Sequence, residues 1–335
     1  MRVSKKVFGA AFASVFALGI GMAAAADVKP AIIFDLGGKF DKSFNQASSV
    51  GVDKFKAETG IDVGEFEPQN EAQIEQAIRN FARKGYNPIL SIGFSQAAAL
   101  EKVAKEYPDT KFTIVDMVVE LPNVRSVVFK EHEGSYLVGI LAAMASQTGK
   151  VGFVGGMDIP LIRKFACGYV QGVKSVKGDA EVFQNMTGTT GAAWNDPVRG
   201  GELAKSQFDR GADVIYQAAG ATGAGVLQAA ADADKLAIGV DSNQNYMQPG
   251  HVLTSMLKRV DVAVYNALND VKNDKWTADI HVLGLAQDGV GWALDEYNEK
   301  LITADMKAAV EKAKQGIIDG SIKVHDYMAD NNCPM

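Results

Sequence analysis

Two stretches of this chain share one plan. "KGYNPILSIGFSQAAALEKVAKEYPDTKFTIVD", Lys84 to Asp116, and "RGADVIYQAAGATGAGVLQAAADADKLAIGVD", Arg210 to Asp241, each run from a basic residue and Gly through an apolar strand, a small-residue loop and an Ala-rich helix to a strand ending in Asp. Their lead-in strands also match: "IIFDLGGKFD" (Ile32–Asp41) stands beside "VGFVGGMD" (Val151–Asp158). Strands alternating with helix-length amphipathic segments make βαβ units and a mostly parallel sheet. A duplicated set makes two such lobes, so the expected fold class is α/β with two Rossmann-like lobes.

Local patterns fill in the units. Ala31–Asp35 reads as the first strand, and the helix beginning at Phe44 carries Phe44, Ala47, Gly51 and Phe55 on one face. Ser43 with Gln46 fits a capping box ahead of it. The next helix should bury Ile74, Ala77, Ile78, Phe81 and Ala82 and stop at Gly85.

The chain opens MRVSKK, continues apolar from Val7 to Met22 and reaches Ala24-Ala25-Ala26 before Asp27, the order of a secretory signal peptide. Residues 1–26 are set aside on that reading. No cysteine follows the small residues to accept a lipid, so release into a periplasm-like space without membrane insertion is expected. Cys167 and Cys333 are the only cysteines. The plainer expectation is a buried small residue and a free tail thiol, although an oxidising compartment also permits a disulfide.

The net charge of −6 and the lack of a basic stripe argue against nucleic-acid binding. Enzyme signatures are missing: there is no Gly-x-Ser-x-Gly, His-Glu-x-x-His, Cys-x-x-Cys or Walker loop. The four histidines have no ligand spacing, so neither a metal nor a cofactor is expected, and His132 should sit on a crossover or helix start. "GATGAG" (Gly220–Gly225) imitates a dinucleotide fingerprint in layout, but its glycine order is G-x-x-G-x-G.

In open parallel sheets, ligands bind beyond the carboxyl ends of the strands. Asp41, Phe94, Asp116, Asp158, Gly220 and Asp241 all fall at such ends and should line a cleft if the lobes face each other. Carboxylates suit a ligand with hydroxyl or amine donors. Phe44 and Trp194, the latter in "TGAAWNDP", can hold a flat ring. Lys258, in "TSMLKRVD", follows a strand near a crossover and can donate to a ring oxygen or hydroxyl. Each has a plainer reading: Asp41 as a helix cap, Phe44 as core, Trp194 as a packed loop aromatic, Asp116 and Asp241 as turn caps, Lys258 as solvated.

"DKSFNQ", "GFSQAAALEKVAKEYPDTKFTIVD", "EGSYLVGILAAMAS", "GKVGFVGGMDIP" and "GADVIYQAAGATGAGVLQAAADAD" together resemble the basic membrane protein family over essentially the whole chain after the export segment. Members include PnrA-type purine nucleoside receptors, the substrate-binding proteins of ABC importers. The resemblance implies a type I periplasmic-binding-protein fold, its lobes joined by crossover strands, with a nucleoside closed between them and passed to a membrane permease. Phe44 and Trp194 would sandwich the base, Asn45 would read its edge, and Asp116, Asp241 and Lys258 would hold ribose or base polar groups. Asp41 would anchor the helix start or reach the base. Many members are lipoproteins, and this chain departs from them in lacking the lipid-accepting cysteine. Lobe one is expected at 27–130 and 259–284, lobe two at 131–258 and 285–335. A free nucleobase, a sugar, a flavin, or a sensor role for a signalling receptor are the alternatives on the same fold.

Overall fold

The computed structural model describes residue 1 and residues 28–334; the expected signal peptide lies outside the described residues. Two six-stranded sheets carry the fold. The first takes β1 (Ala31–Ile33), β2 (Gly64–Phe66), β3 (Ile89–Ile92), β4 (Phe112–Val115), β5 (Val124–Phe129) and β11 (Ile280–Leu283) in the order β11-β5-β4-β3-β1-β2, all parallel. The second takes β6 (Lys150–Met157), β7 (Glu181–Gly188), β8 (Val214–Ala218), β9 (Leu236–Asp241), β10 (Val252–Lys258) and β12 (Val290–Trp292) in the order β12-β10-β9-β8-β6-β7. Among the described residues of this sheet, only the edge strand β12 runs antiparallel.

The repeat therefore becomes a repeat of topology. In each sheet the order reverses beside the first strand, β2-β1-β3 in one and β7-β6-β8 in the other, and that reversal opens a crevice at the strand ends. The chain passes from the first sheet to the second between β5 and β6, back between β10 and β11, and over again between β11 and β12.

Buried apolar residues, most of them β-branched or aromatic, explain the strands: Ile32, Phe34, Leu90, Ile92, Val127 and Phe129 pack in one cluster with Phe153, Tyr216, Ile238 and Val240. Helix α1 (Phe44–Thr59) buries Ala47, Gly51 and Phe55, as its periodicity requires. Helix α2 (Ile74–Arg83) buries Ile74, Ala77, Ile78 and Ala82, and Gly85 takes φ 73° just beyond it. Phe81 differs from expectation: it is half-buried and meets Tyr86 edge-on, with centroids 4.8 Å apart. The remaining helices are α3 (Ala97–Glu106), α4 (Glu131–Ala145), α5 (Pro160–Val176), α6 (Pro197–Asp209), α7 (Gly223–Asp232), α8 (Val260–Lys272) and α9 (Ala304–Ile318). Helices α4 and α5 touch backbone to backbone, because a Cβ at Gly168 or Gly172 would collide with the His132 or Tyr136 carbonyl.

Two local expectations fail. Ser43 makes no side-chain cap to α1, so no capping box forms. Asp41 caps instead, its Oδ1 accepting from Ser43 N (2.8 Å) and Gln46 N (3.0 Å) and its Oδ2 from Asn45 N (3.0 Å). A carboxylate satisfies three orphan donors where a hydroxyl satisfies one, and the positive helix end favours its charge. Nor are the cysteines free: Cys167 on α5 is bonded to Cys333, with Cα atoms 5.6 Å apart, because the tail folds back along α5.

Candidate functional site

The carboxyl ends of the two sheets face one another across a narrow slot. The slot is a cavity of about 60 Å³, so the lobes stand closed. Asp41, Phe44 and Asn45 enter it from the start of α1, Phe94 from the end of β3, and Asp116 from the end of β4. Trp194, Gly220, Asp241 and Lys258 face them from the second lobe. Asp158, expected at the same level, does not line the slot; its carboxylate holds Arg163 at 2.7 and 2.8 Å.

Both strand-end aspartates have left-handed backbones, φ 70° at Asp116 and 63° at Asp241. Asp tolerates that region better than most residues, and strain of this kind gathers at ligand clamps. The twist turns each carboxylate out of its sheet and into the slot. Asp116 Oδ2 accepts from Lys258 Nζ at 2.6 Å, while its Oδ1 is buried with no partner among the described residues. Asp241 Oδ2 accepts from Ser43 Oγ at 2.5 Å, a bond across the slot. Ser242 Oγ to Ser43 O (2.9 Å) and Gln244 Nε2 to Lys42 O (2.9 Å) add to this latch.

Burial pushes Asp116 and Asp241 up to about 6, against the pull of the Lys258 ammonium on both. Burial alone would lower Lys258, but Asp116, Glu131 and Asp241 reverse that and raise it, so the ammonium stays charged at 2% exposure. It lies 5.1 Å from the centroids of Phe44 and Phe129 and 5.5 Å from that of Phe165, within cation–π range.

The other end of the slot is built differently. Asn45 spends Oδ1 on Asp35 N (2.8 Å) and Nδ2 on Asp35 O (3.1 Å), which ties α1 to the end of β1 and leaves it one amide hydrogen. Asp41 is likewise occupied as a cap, and burial raises it despite those three N–H bonds. Asp35 lines the slot and was missed. Its Oδ1 accepts from Leu36 N (2.8 Å) and Ser95 Oγ (3.2 Å), and burial pushes its carboxyl up to about 7. Gly93, at φ 108°, makes room for it, since a Cβ there would collide with the carboxylate. The strand-end rule that picks Asp116 and Asp241 applies equally to Asp35. Leu161, Ile162 and Phe165 of α5 add apolar wall, and a helix start after a strand was their only signal. Gly156 clears space for Trp194, whose ring a Cβ would strike.

Acidic acceptors, one buried cation and aromatic walls suit a small, flat, donor-bearing molecule. Residues 29–326 match the family model described as ABC transporter substrate-binding protein, PnrA-like. A protein of Lactococcus lactis named ABC transporter nucleoside-binding protein BmpA is 35% identical over 321 residues, 89% of each chain. A Pyrococcus furiosus protein described as an uncharacterized lipoprotein is 35% identical over 285 residues, 80% of this chain and 71% of that one. A solved solute-binding protein of an Aeropyrum pernix ABC transporter system superposes with a TM-score of 0.82 at 33% identity, covering 89% of this chain and 93% of that one. The chain belongs to the PnrA-like, or Bmp, family of ABC transporter substrate-binding proteins.

Proposed function

We propose that this extracytoplasmic substrate-binding protein captures a nucleoside, of the purine class, between its lobes and hands it to the permease of an ABC importer. The observation that carries this reading is the pairing, in one slot, of aromatic walls with Asp116 Oδ1, a buried acceptor left without a partner. Leaving such an oxygen unmade costs about 1–3 kcal/mol, which a ligand hydroxyl returns on binding. Asp116, Asp241 and Lys258 take the ribose hydroxyls; Phe44 and Trp194 hold the base. The Asp35 carboxyl, with the spare Asn45 hydrogen, reads its edge. Support for a nucleoside comes from the relative named as nucleoside-binding; the purine class is what the resemblance to PnrA-type purine nucleoside receptors implies.

The lobe limits that go with this reading are 27–130 with 259–284 and 131–258 with 285–335, so that closure is a hinge motion at three crossings. Residues 1–26 are the export signal and the released protein is periplasmic. Calorimetric titration of refolded, ligand-stripped protein with adenosine, guanosine, inosine, uridine, adenine, ribose and riboflavin tests the ligand. Tight binding of a purine nucleoside without ribose binding is expected, weakened at least about tenfold by Trp194→Ala. Silence across the nucleosides overturns the reading.

A further inference from the structure

A line of buried charges runs back from the slot, starting at Asp116 and Lys258. Lys258 Nζ lies between Asp116 Oδ2 at 2.6 Å and Glu131 Oε1 at 3.1 Å. Glu131, the first residue of α4 and 1% exposed, places its other oxygen 3.0 Å from Lys164 Nζ. Lys164 donates to Phe129 O at 2.7 Å and stands 3.5 Å from Asp326 Oδ2. His132 Nδ1 is 3.8 Å from the same Asp326 oxygen, and burial holds that ring below its ordinary pKa.

Asp326 belongs to the carboxy-terminal tail, which is fastened on both sides of it. Gln171 donates to His325 O at 3.0 Å and accepts from His325 N at 2.8 Å, and Cys333 is bonded to Cys167. Lys164, Cys167 and Gln171 occupy one face of α5, so the clamp and the ion pair share a single platform. The close contact of α4 with α5 sets Lys164 against Glu131.

We infer that Glu131 is a positioning residue for ligand capture, and that the clamped tail tunes it: Asp326 shares Lys164 with Glu131, Glu131 thereby keeps its hold on Lys258, and Lys258 stays on Asp116 Oδ2 alone, leaving Oδ1 free. The inference rests on the slot proposed above as the ligand site. With Glu131 neutralised, the ammonium loses its second carboxylate and moves across both Asp116 oxygens, taking Oδ1 from the ligand. With Asp326 neutralised, Lys164 turns fully onto Glu131 and the same movement follows in weaker form.

The groups facing Asp116 are Lys258 from β10, Glu131 from α4, Asp241 from β9 and Asp35 after β1. Removing the Glu131 charge deletes a repulsion and strengthens an attraction, so the Asp116 midpoint must fall. Carbon-13 carboxyl NMR titration of the ligand-free protein reads this without any ligand. Glu131→Gln should lower the Asp116 midpoint, Asp326→Asn should lower it less, and Asp326→Glu should restore it. In parallel, nucleoside affinity at pH 8 should drop about threefold to tenfold for Glu131→Gln and less for Asp326→Asn. An unmoved Asp116 midpoint in both variants overturns the inference even if binding weakens, because loss of packing alone lowers affinity without shifting that titration. Shifted midpoints with undiminished affinity overturn the link to capture. If the parent binds no nucleoside, the functional reading fails separately, and the NMR series alone decides whether the tail reaches Asp116.

Discussion

Lowering the pH from 8 to 5 should loosen nucleoside binding about a hundredfold. Asp116 and Asp241 sit in the unliganded slot pushed up to about 6 by burial. A ligand hydroxyl that donates to a carboxylate favours the ionised form, so each pKa falls on binding and the complex holds fewer protons than the free protein. The sign follows: affinity is full above the free-state value and is lost as pH drops through it. At pH 5 a group with a pKa of 6 is about ten parts protonated to one ionised, so ionising each aspartate costs about tenfold, and both together about a hundredfold. Isothermal titration with a nucleoside that does not itself titrate between pH 5 and 8, in buffers of different ionisation enthalpy, reads affinity and proton release together. Near pH 6 Asp116 and Asp241 should together release about one proton per ligand bound, half from each, and near pH 8 almost none. An affinity flat from pH 5 to 8 with no proton release would refute the reasoning, since the aspartates then either do not touch the ligand or do not titrate in this range.

Three other perturbations follow from the geometry. Gly156→Ala puts a methyl into the Trp194 ring, so binding should weaken at least about tenfold while circular dichroism stays native; unchanged affinity would show that the ring is not a wall of the site. Ser43→Ala deletes the bond to Asp241 across the slot, a charge-assisted contact of about 1.5–3 kcal/mol, and small-angle scattering of the ligand-free protein should report a larger radius of gyration. Lys258→Met leaves Asp116 buried without its cation and Glu131 with Lys164 alone, which should cost about 3–5 kcal/mol of stability. That loss, read as a drop in Tm, should be smaller at pH 5 than at pH 8, where the stranded carboxyls cannot protonate.

Features written along one strand or helix were legible in the sequence. The alternation of apolar runs and Ala-rich segments marks both sheets, and the matched strand ends Asp116 and Asp241 meet in one slot because the duplicated units face each other. Asp35 obeys the same rule and was overlooked among the neighbouring glycines. Ser43 shows how a local motif loses to its neighbours: Asp41 accepts the helix-start N–H groups in its place, and its hydroxyl donates instead to Asp241, 198 residues away. Glu131 and Lys164 carry no pattern at all, since their meaning arises where α4 crosses α5. The Cys167–Cys333 bond spans 166 residues and depends on where the tail comes to rest, which neither spacing nor composition encodes.

The matched backbone twist at Asp116 and Asp241 has a consequence for how such a site can arise and change. One half of this chain, paired with an identical copy of itself, would already hold two acceptors facing each other about a twofold axis. A gap of that kind grips polar molecules but cannot tell one end of a ligand from the other. Direction enters through side chains that the halves do not share: Phe44 and Asp35 on one side, Trp194 and Lys258 on the other. Fusion of the copies lets each half vary alone, so the cargo can be exchanged by editing these unpaired residues while the inherited pair of acids stays in place.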